Sequence, residues 1–291
     1  MRAPVVLPFL LRRARVSLFP RPGAALRVDH DAAALALDPG LTWIGHATVL
    51  VRLDGAAFVT DPVFSDRVSP LRFAGPPRLV PPGVPLAALP RLDFALLSHD
   101  HYDHTDLASV RALAGRGVRF VVPRGLGGLV RAAGAEAVEL AWWESTTLAG
   151  LRVHCVPAQH FSGRGLFDRN RRLYAGFVVE GPSHRFYHAG DTGYFAGLAE
   201  IGRRFGPLHL AALPIGAYLP RAMMRRVHVT PEEAVQAALD ARAERVLGMH
   251  WGTFDLADEP LDEPPRRFLA EAARRDLEGA FVLKVGETRR F

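Results

Sequence analysis

Short runs of β-branched and apolar residues recur along the chain, separated by turn residues and by stretches with helical spacing. "ATVLVRL", Asp54-Gly55 and "AAFVTD" read as a hairpin, because Asp-Gly supplies the positive φ of a tight turn between twisted strands. "LDFALLS" is apolar without alternation, the pattern of a strand buried on both faces. Behind it, "DLASVRALAG" has helical spacing and a glycine stop at Gly115, "VRFVVP" predicts a strand, and "RGLGGLVRAAG" predicts a helix closed by Gly134. In the second half, strands are expected at "LRVHCVPA", "LYAGFVVEG", "HRFYHAG", "LHLAALPI" and "ERVLGMHWG". "TPEEAVQAALDAR" predicts a helix with Thr230 as N-cap and Pro231 in its first position. Strands and helices mixed in both halves imply a layered α/β or α+β domain. A two-sheet sandwich flanked by helices fits this order, and periodicity alone leaves a doubly wound sheet open.

At 291 residues and 49% hydrophobic, the chain can bury a large core, and no stretch has the composition of a linker. The N-terminal "VVLPFLLRRARVSLF" has a short apolar part, contains Pro8, and is followed rather than preceded by its arginine pair. Residues 1–40 are therefore read as an arm packing on a single domain at 41–291, in preference to an interfacial anchor. No clearly amphipathic membrane-docking element is legible, and no run reaches the ~20 apolar residues of a membrane span.

The net charge of +6 comes almost wholly from arginine, with one lysine, Lys284. Arginine pairs such as Arg12-Arg13, Arg203-Arg204 and Arg225-Arg226 are spread along the chain, and no helix-turn-helix, zinc-finger or RNP pattern accompanies them. Nucleic acid is therefore not an expected partner, while an anionic substrate is compatible. One cysteine, Cys155, rules out an intramolecular disulfide and suits a reducing compartment. The chain is assigned to the cytoplasm, with peripheral contact at a membrane left open.

"LLSHDHYDHTD" places His99, His101, Asp103 and His104 in a turn directly behind the buried strand. Imidazoles and a carboxylate are the nitrogen and oxygen ligands that zinc takes, and four so close together suit two metals better than one. Further candidates stand at later strand ends: His160 after "VPAQ", Asp191 in "HAGDTGY" and His250 after "VLGM".

"H-x-H-x-D-H", an isolated histidine, a "GDT" aspartate and a final histidine resemble the ligand order of the metallo-β-lactamase superfamily. "GHATVLV", "TDPVFSDRVSP", "SHDHYDHTD", "PAQHFSGR", "AGDTGY", "PIGAYLPR", "HVTPEEAV" and "MHWGTF" are similar to segments of the N-acyl-phosphatidylethanolamine-hydrolysing phospholipase D family and its bacterial relatives. These blocks run from about Leu41 to Glu259. The resemblance implies a four-layer αββα sandwich with two zinc ions, iron or manganese being substitutes. It makes His99, His101 and His160 ligands of one ion, Asp103, His104 and His250 ligands of the other, and Asp191 the bridge. Asp61 in "TDP" becomes a buried aspartate that orients a ligand histidine through its other ring nitrogen.

The implied activity is metal-dependent hydrolysis of a phosphodiester, with N-acyl-phosphatidylethanolamine cleaved to phosphatidic acid and N-acylethanolamine. Hydrolysis of a lactone or ester by the same centre is the alternative. Asp103, Asp191 and His228 are the expected catalytic residues, His228 steadying or protonating the leaving group. The expected partner is a small-molecule or phospholipid substrate, and neither substrate-binding residues nor oligomeric state leave a readable mark. His46 is open between a site residue and a hydrogen-bonded loop histidine. Cys155, Tyr218, Met223 and Met224 are read as packing residues, and the basic stretch Gly163 to Arg172 as a solvated loop.

Overall fold

The computed structural model describes residues 3–23, 25–71, 73–165 and 167–291; Met1, Arg2 and Ala24 of the expected arm, Arg72, and Leu166 of the basic loop lie outside them. The first half builds one mixed sheet from β1 (Gly40–Gly45), β2 (Thr48–Leu53), β3 (Ala56–Thr60), β4 (Phe94–Leu96), β5 (Arg119–Pro123) and β6 (Ala137–Leu140). The second half builds another from β7 (Ser145–Leu148), β8 (Leu151–Val156), β9 (Gly176–Glu180), β10 (Arg185–His188), β11 (Leu210–Pro214), β12 (Val246–Met249) and β13 (Ala280–Phe281). A last strand, β14 (Thr288–Arg290), crosses back to pair antiparallel with β1. Each sheet opens as an antiparallel meander and continues in parallel: β3, β4, β5 and β6 in the first, β10, β11, β12 and β13 in the second.

Alternation along the strands divides the side chains between two apolar layers. Val49, Val51, Phe58, Phe94 and Leu96 face the second sheet's Val153, Phe177 and Phe186, and Phe58 stacks on Phe94 with centroids 4.8 Å apart. The intervening Leu50, Val59, Ala95 and Leu97 pack outward beneath helices α2 (Leu107–Ala114) and α3 (Gly127–Ala132), against Val110, Leu113 and Val130. Both faces of the sheet are covered, which is why "LDFALLS" carries no polar alternation. Helices α4 (Gly197–Phe205), α6 (Pro231–Asp240) and α7 (Glu263–Arg274) supply Leu198, Ile201, Val235 and Phe268 to the layer around the second sheet; the four-residue α5 (Arg221–Met224) precedes α6. The architecture is an αββα sandwich, and the doubly wound alternative is excluded.

The hairpin is β2–β3 with Val49 opposite Thr60, and α6 starts at a complete Thr230–Glu233 capping box. The N-terminal stretch is more regular than its sequence suggested. It forms helix α1 (Ala3–Leu18), with Pro8 inside it, and docks through Arg12 and Arg13 onto Asp258 and Asp255. No helix among the described residues is long and apolar enough to cross a membrane.

Candidate metal centre

Parallel strands of both sheets end at one edge of the sandwich, and the titratable side chains gather there. Behind β4 the chain turns sharply: the Thr105 amide donates to the His101 carbonyl at 2.8 Å and the Thr105 hydroxyl to the His99 carbonyl at 2.7 Å. The turn sets His99, His101, Asp103 and His104 facing the second sheet. That sheet delivers His160 beyond β8, Asp191 beyond β10 and His250 directly after β12. Close approach of the halves is enforced at Gly190, where φ is +59° and a Cβ would lie 2.6 Å from the Ser98 Cβ.

Two donor sets result. In the first, His99 Nε2 and His160 Nε2 stand 2.9 and 3.2 Å from His101 Nδ1. Nitrogens held by one tetrahedral zinc at about 2.0–2.1 Å would be roughly 3.3 Å apart, so the trio already has the spacing of a shared cation. In the second, Asp103 Oδ2 lies 3.5 Å from His104 Nε2, 3.4 Å from His250 Nε2 and 3.0 Å from His46 Nε2. Asp191 stands between the sets. Its Oδ2 is 3.2, 3.8 and 3.9 Å from Nε2 of His104, His160 and His99, and its Oδ1 is 3.2 Å from His250 Nε2. His228 Nδ1 is 4.0 Å from the same carboxylate, so every residue singled out in the sequence as ligand or catalyst is brought together here.

The donors fit a metal on their own chemistry. His104 Nε2, His250 Nε2, His228 Nδ1 and Asp191 Oδ1 are buried polar atoms with no hydrogen-bond partner among the described residues. Four such vacancies at one point would be costly in a protein interior, and a cation satisfies them together. The histidine and carboxylate cluster can thus hold metal through nitrogens and oxygens, without thiolate.

Charges respond to burial and to one another. Burial holds His99, His101 and His160 below the ordinary histidine range, so this set is neutral. Burial acts the same way on His104 and His250, but Asp191 and Asp103 outweigh it, raising His104 and lifting His250 to about 9. Asp103 and Asp191 resist their own burial through His104 above all, and stay ionised. Burial brings His228 down to about 4.

Asp61 sits behind the centre, fully buried. Its Oδ1 accepts the Ser98 amide at 2.7 Å, and its Oδ2 accepts the Ser98 hydroxyl, His104 Nδ1 and His188 Nε2 at 2.7, 2.7 and 2.9 Å. The hydrogen bond from Nδ1 leaves His104 Nε2 aimed at the centre, the tautomer a ligand needs. Burial pushes the Asp61 carboxyl up, yet His104 and His188 hold it well below the usual range.

Two residues, His188 and Asp100, went unrecognised as part of this framework, and a third, His46, was left open. His188 is the polar end of an otherwise apolar strand, three residues before Asp191, and that position was its available signal. His46 both hydrogen-bonds Asp103 and packs its ring on His250 at 4.0 Å; it follows Gly45 in a left-handed turn (φ +55°) outside any periodic pattern. Asp100, inside the motif, accepts from the Gly163 amide and from Arg172, both at 2.7 Å. Those bonds tie down the basic loop, so it is a braced wall rather than merely a solvated one. Cys155 lies in β8 with its thiol pushed up to about 12 by burial, and Tyr218 is buried with its hydroxyl on Glu263 at 2.6 Å, as packing residues. Met223 and Met224 are half-buried on α5.

Known proteins place this geometry. The profile of the β-lactamase superfamily domain matches residues 57–251. An uncharacterized protein of Mycobacterium tuberculosis is 47% identical over 249 residues, 83% of this chain and 65% of the relative, so the match spans somewhat less than two thirds of that protein. An N-acyl-phosphatidylethanolamine-hydrolyzing phospholipase D of Caenorhabditis elegans is 44% identical over 259 residues, covering 84% of this chain and 73% of the relative. Among solved structures, a metallo hydrolase from the archaeon Ignicoccus hospitalis shares the fold at a TM-score of 0.67 and 24% identity, covering 87% of this chain and 97% of that one. With its two donor sets at the strand ends of an αββα sandwich, this chain belongs to the metallo-β-lactamase superfamily.

Proposed function

We propose that the centre is binuclear, takes two zinc ions with iron or manganese as substitutes, and hydrolyses a phosphodiester of phospholipase D type. The substrate in this reading is a glycerophospholipid such as N-acyl-phosphatidylethanolamine, cleaved to phosphatidic acid and N-acylethanolamine. His99, His101 and His160 would hold one ion, and Asp103, His104 and His250 the other. The observation that carries the reading is the Asp191 carboxylate, whose Oδ1 faces His250 while its Oδ2 faces His104, His160 and His99. A carboxylate so placed can bridge two ions a few ångströms apart. Likeness to a phospholipase D of this type in C. elegans supports the substrate class.

Bound there, such ions act as Lewis acids that lower the pKa of a coordinated water and neutralise charge on the attacked oxygens. The rest is work for the side chains. Asp61 and His46 keep His104 and Asp103 turned inward, and Asp191 keeps the two donor sets in register. The water gives up one proton to solvent and its oxygen bonds to phosphorus, the bond from phosphorus to the ethanolamine oxygen breaks, and that oxygen acquires a proton from solvent. His228 keeps 11% of its side chain exposed, more than His99, His104, His160 or His250, so it borders the open side from which substrate arrives. A neutral His228 serves the leaving oxygen by donating an N–H hydrogen bond as negative charge grows there.

Mass spectrometry of products from N-acyl-phosphatidylethanolamine in mixed micelles tests the reading. The zinc-loaded protein is expected to release phosphatidic acid and N-acylethanolamine, and Asp191→Asn to lose at least about 10³-fold in turnover. A folded, metal-loaded protein that releases neither product, but opens lactones or esters, would overturn the phosphodiester assignment.

A further inference from the structure

Helix α1 is mounted with its apolar face outward. Leu7, Leu11, Ala14 and Leu18 recur at intervals of four, three and four residues, with Leu10 beside them, and so form one stripe. That stripe points to solvent: Leu7, Leu11 and Leu18 are 62, 63 and 74% exposed. The opposite face holds the helix to the body. Phe9 is buried, and Arg13 reaches the buried Asp255, which also accepts Arg21.

The patch continues beyond the helix. Ser17 Oγ accepts from the Gly75 amide at 2.8 Å and donates to its carbonyl at 3.1 Å, which lays the 73–75 segment against the end of α1. Phe19 and Phe73, on these two adjoining segments, are 73 and 80% exposed. Most of the large exposed apolar side chains among the described residues therefore lie on α1 and the two segments joined to its end. Such a concentration on one surface calls for a partner.

We propose that this surface docks on an anionic phospholipid bilayer, with α1 lying in the interface and Phe19 and Phe73 inserted beside it. Charge favours that occupant. Arg15 flanks the stripe exposed and without an ion pair among the described residues, Arg12 stands behind it on the same side, half exposed and paired with Asp258, and the chain carries +6. A leucine stripe bordered by arginines matches an acyl layer beneath anionic headgroups. The location has a use: Asp255, gripped by Arg13 and Arg21, lies five residues past His250, so docking holds the metal centre at the lipid surface. The inference stands whichever bond the centre cleaves.

Co-sedimentation of the full chain with vesicles tests it, comparing phosphatidylcholine alone with phosphatidylcholine containing phosphatidylglycerol. Wild type is expected to bind the anionic vesicles, more weakly as salt rises, and Leu7→Gln/Leu11→Gln/Leu18→Gln to bind at least about tenfold less. Phe19→Ser/Phe73→Ser should lose affinity likewise. The changed side chains are exposed, so thermal midpoint and metal content should stay at wild-type values; a variant that misfolds is replaced by the single changes. Wild type that ignores anionic vesicles, or variants that bind them as well as wild type, would overturn the proposal. So would a wild-type dimer, dissociated by the leucine changes, that fails to bind vesicles; the stripe would then belong to a second copy.

Discussion

The two donor sets of the metal centre are built on opposite electrostatic plans. The trio His99, His101 and His160 contains no carboxylate, and burial, aided by the neighbouring imidazoles, keeps its rings neutral with lone pairs facing one another. The set of Asp103, His104 and His250 is filled with protons instead, because two buried carboxylates raise both imidazoles. Support differs too. His160 is fixed by one bond from Nδ1 to the Val227 carbonyl, while His104 is fixed through Asp61, which also binds His188 and Ser98. The contrast teaches that a ligand's contribution to stability depends on what stands behind it, and its proton affinity on what stands beside it.

Asp61→Ala probes the better-supported set. It strips acceptors from His104, His188 and the Ser98 amide at a fully buried site, and is expected to cost about 3–5 kcal/mol of unfolding free energy in urea. His160→Ala, in the trio, should cost only about 1–2 kcal/mol, yet remove metal from its set in an elemental analysis. Equal losses from the two changes would break the contrast.

Metal uptake separates the sets by pH. His104 and His250 each shed a proton on binding, so affinity at their set should rise about a hundredfold per pH unit up to about 9 and more shallowly above. The trio, neutral beforehand, should bind with little pH dependence over the same range; calorimetry in buffers of different ionisation enthalpy would count the protons released. The smallest effect is expected from Cys155→Ala, outside both sets. Activity should be unchanged and stability lower by about 1 kcal/mol, and alkylation of the native thiol at neutral pH should be negligible.

Legibility followed the locality of the signal. The turn from His99 to His104 could be read directly, because four donors in a short stretch behind an apolar strand have few structural uses. His160, Asp191 and His250 came forward only through their shared place at strand ends and the family's ligand order. His188 escaped as an inward-facing histidine in a strand, and His46 stayed undecided as a left-handed turn residue; their meaning lies in Asp61 and Asp103, 127 and 57 residues away. The same limit applies to the fold. The β2–β3 hairpin and α6 carry their own turn and cap chemistry, whereas β14 exists by pairing with β1, 246 residues away at Thr42–Thr288. The outward stripe of α1 was not read from the sequence, because ion pairs to Asp255 and Asp258 decide which face turns in.

The order of ligands along the chain also has a consequence in time. All three members of the trio have been synthesised once residue 160 is joined, while the other set awaits His250, about 90 residues later. At about 5–20 residues per second, the ribosome takes several seconds to cover that interval. A nascent chain thus carries one complete set of imidazoles, already free of protons wherever they are buried, before the residue that completes its neighbour has been translated.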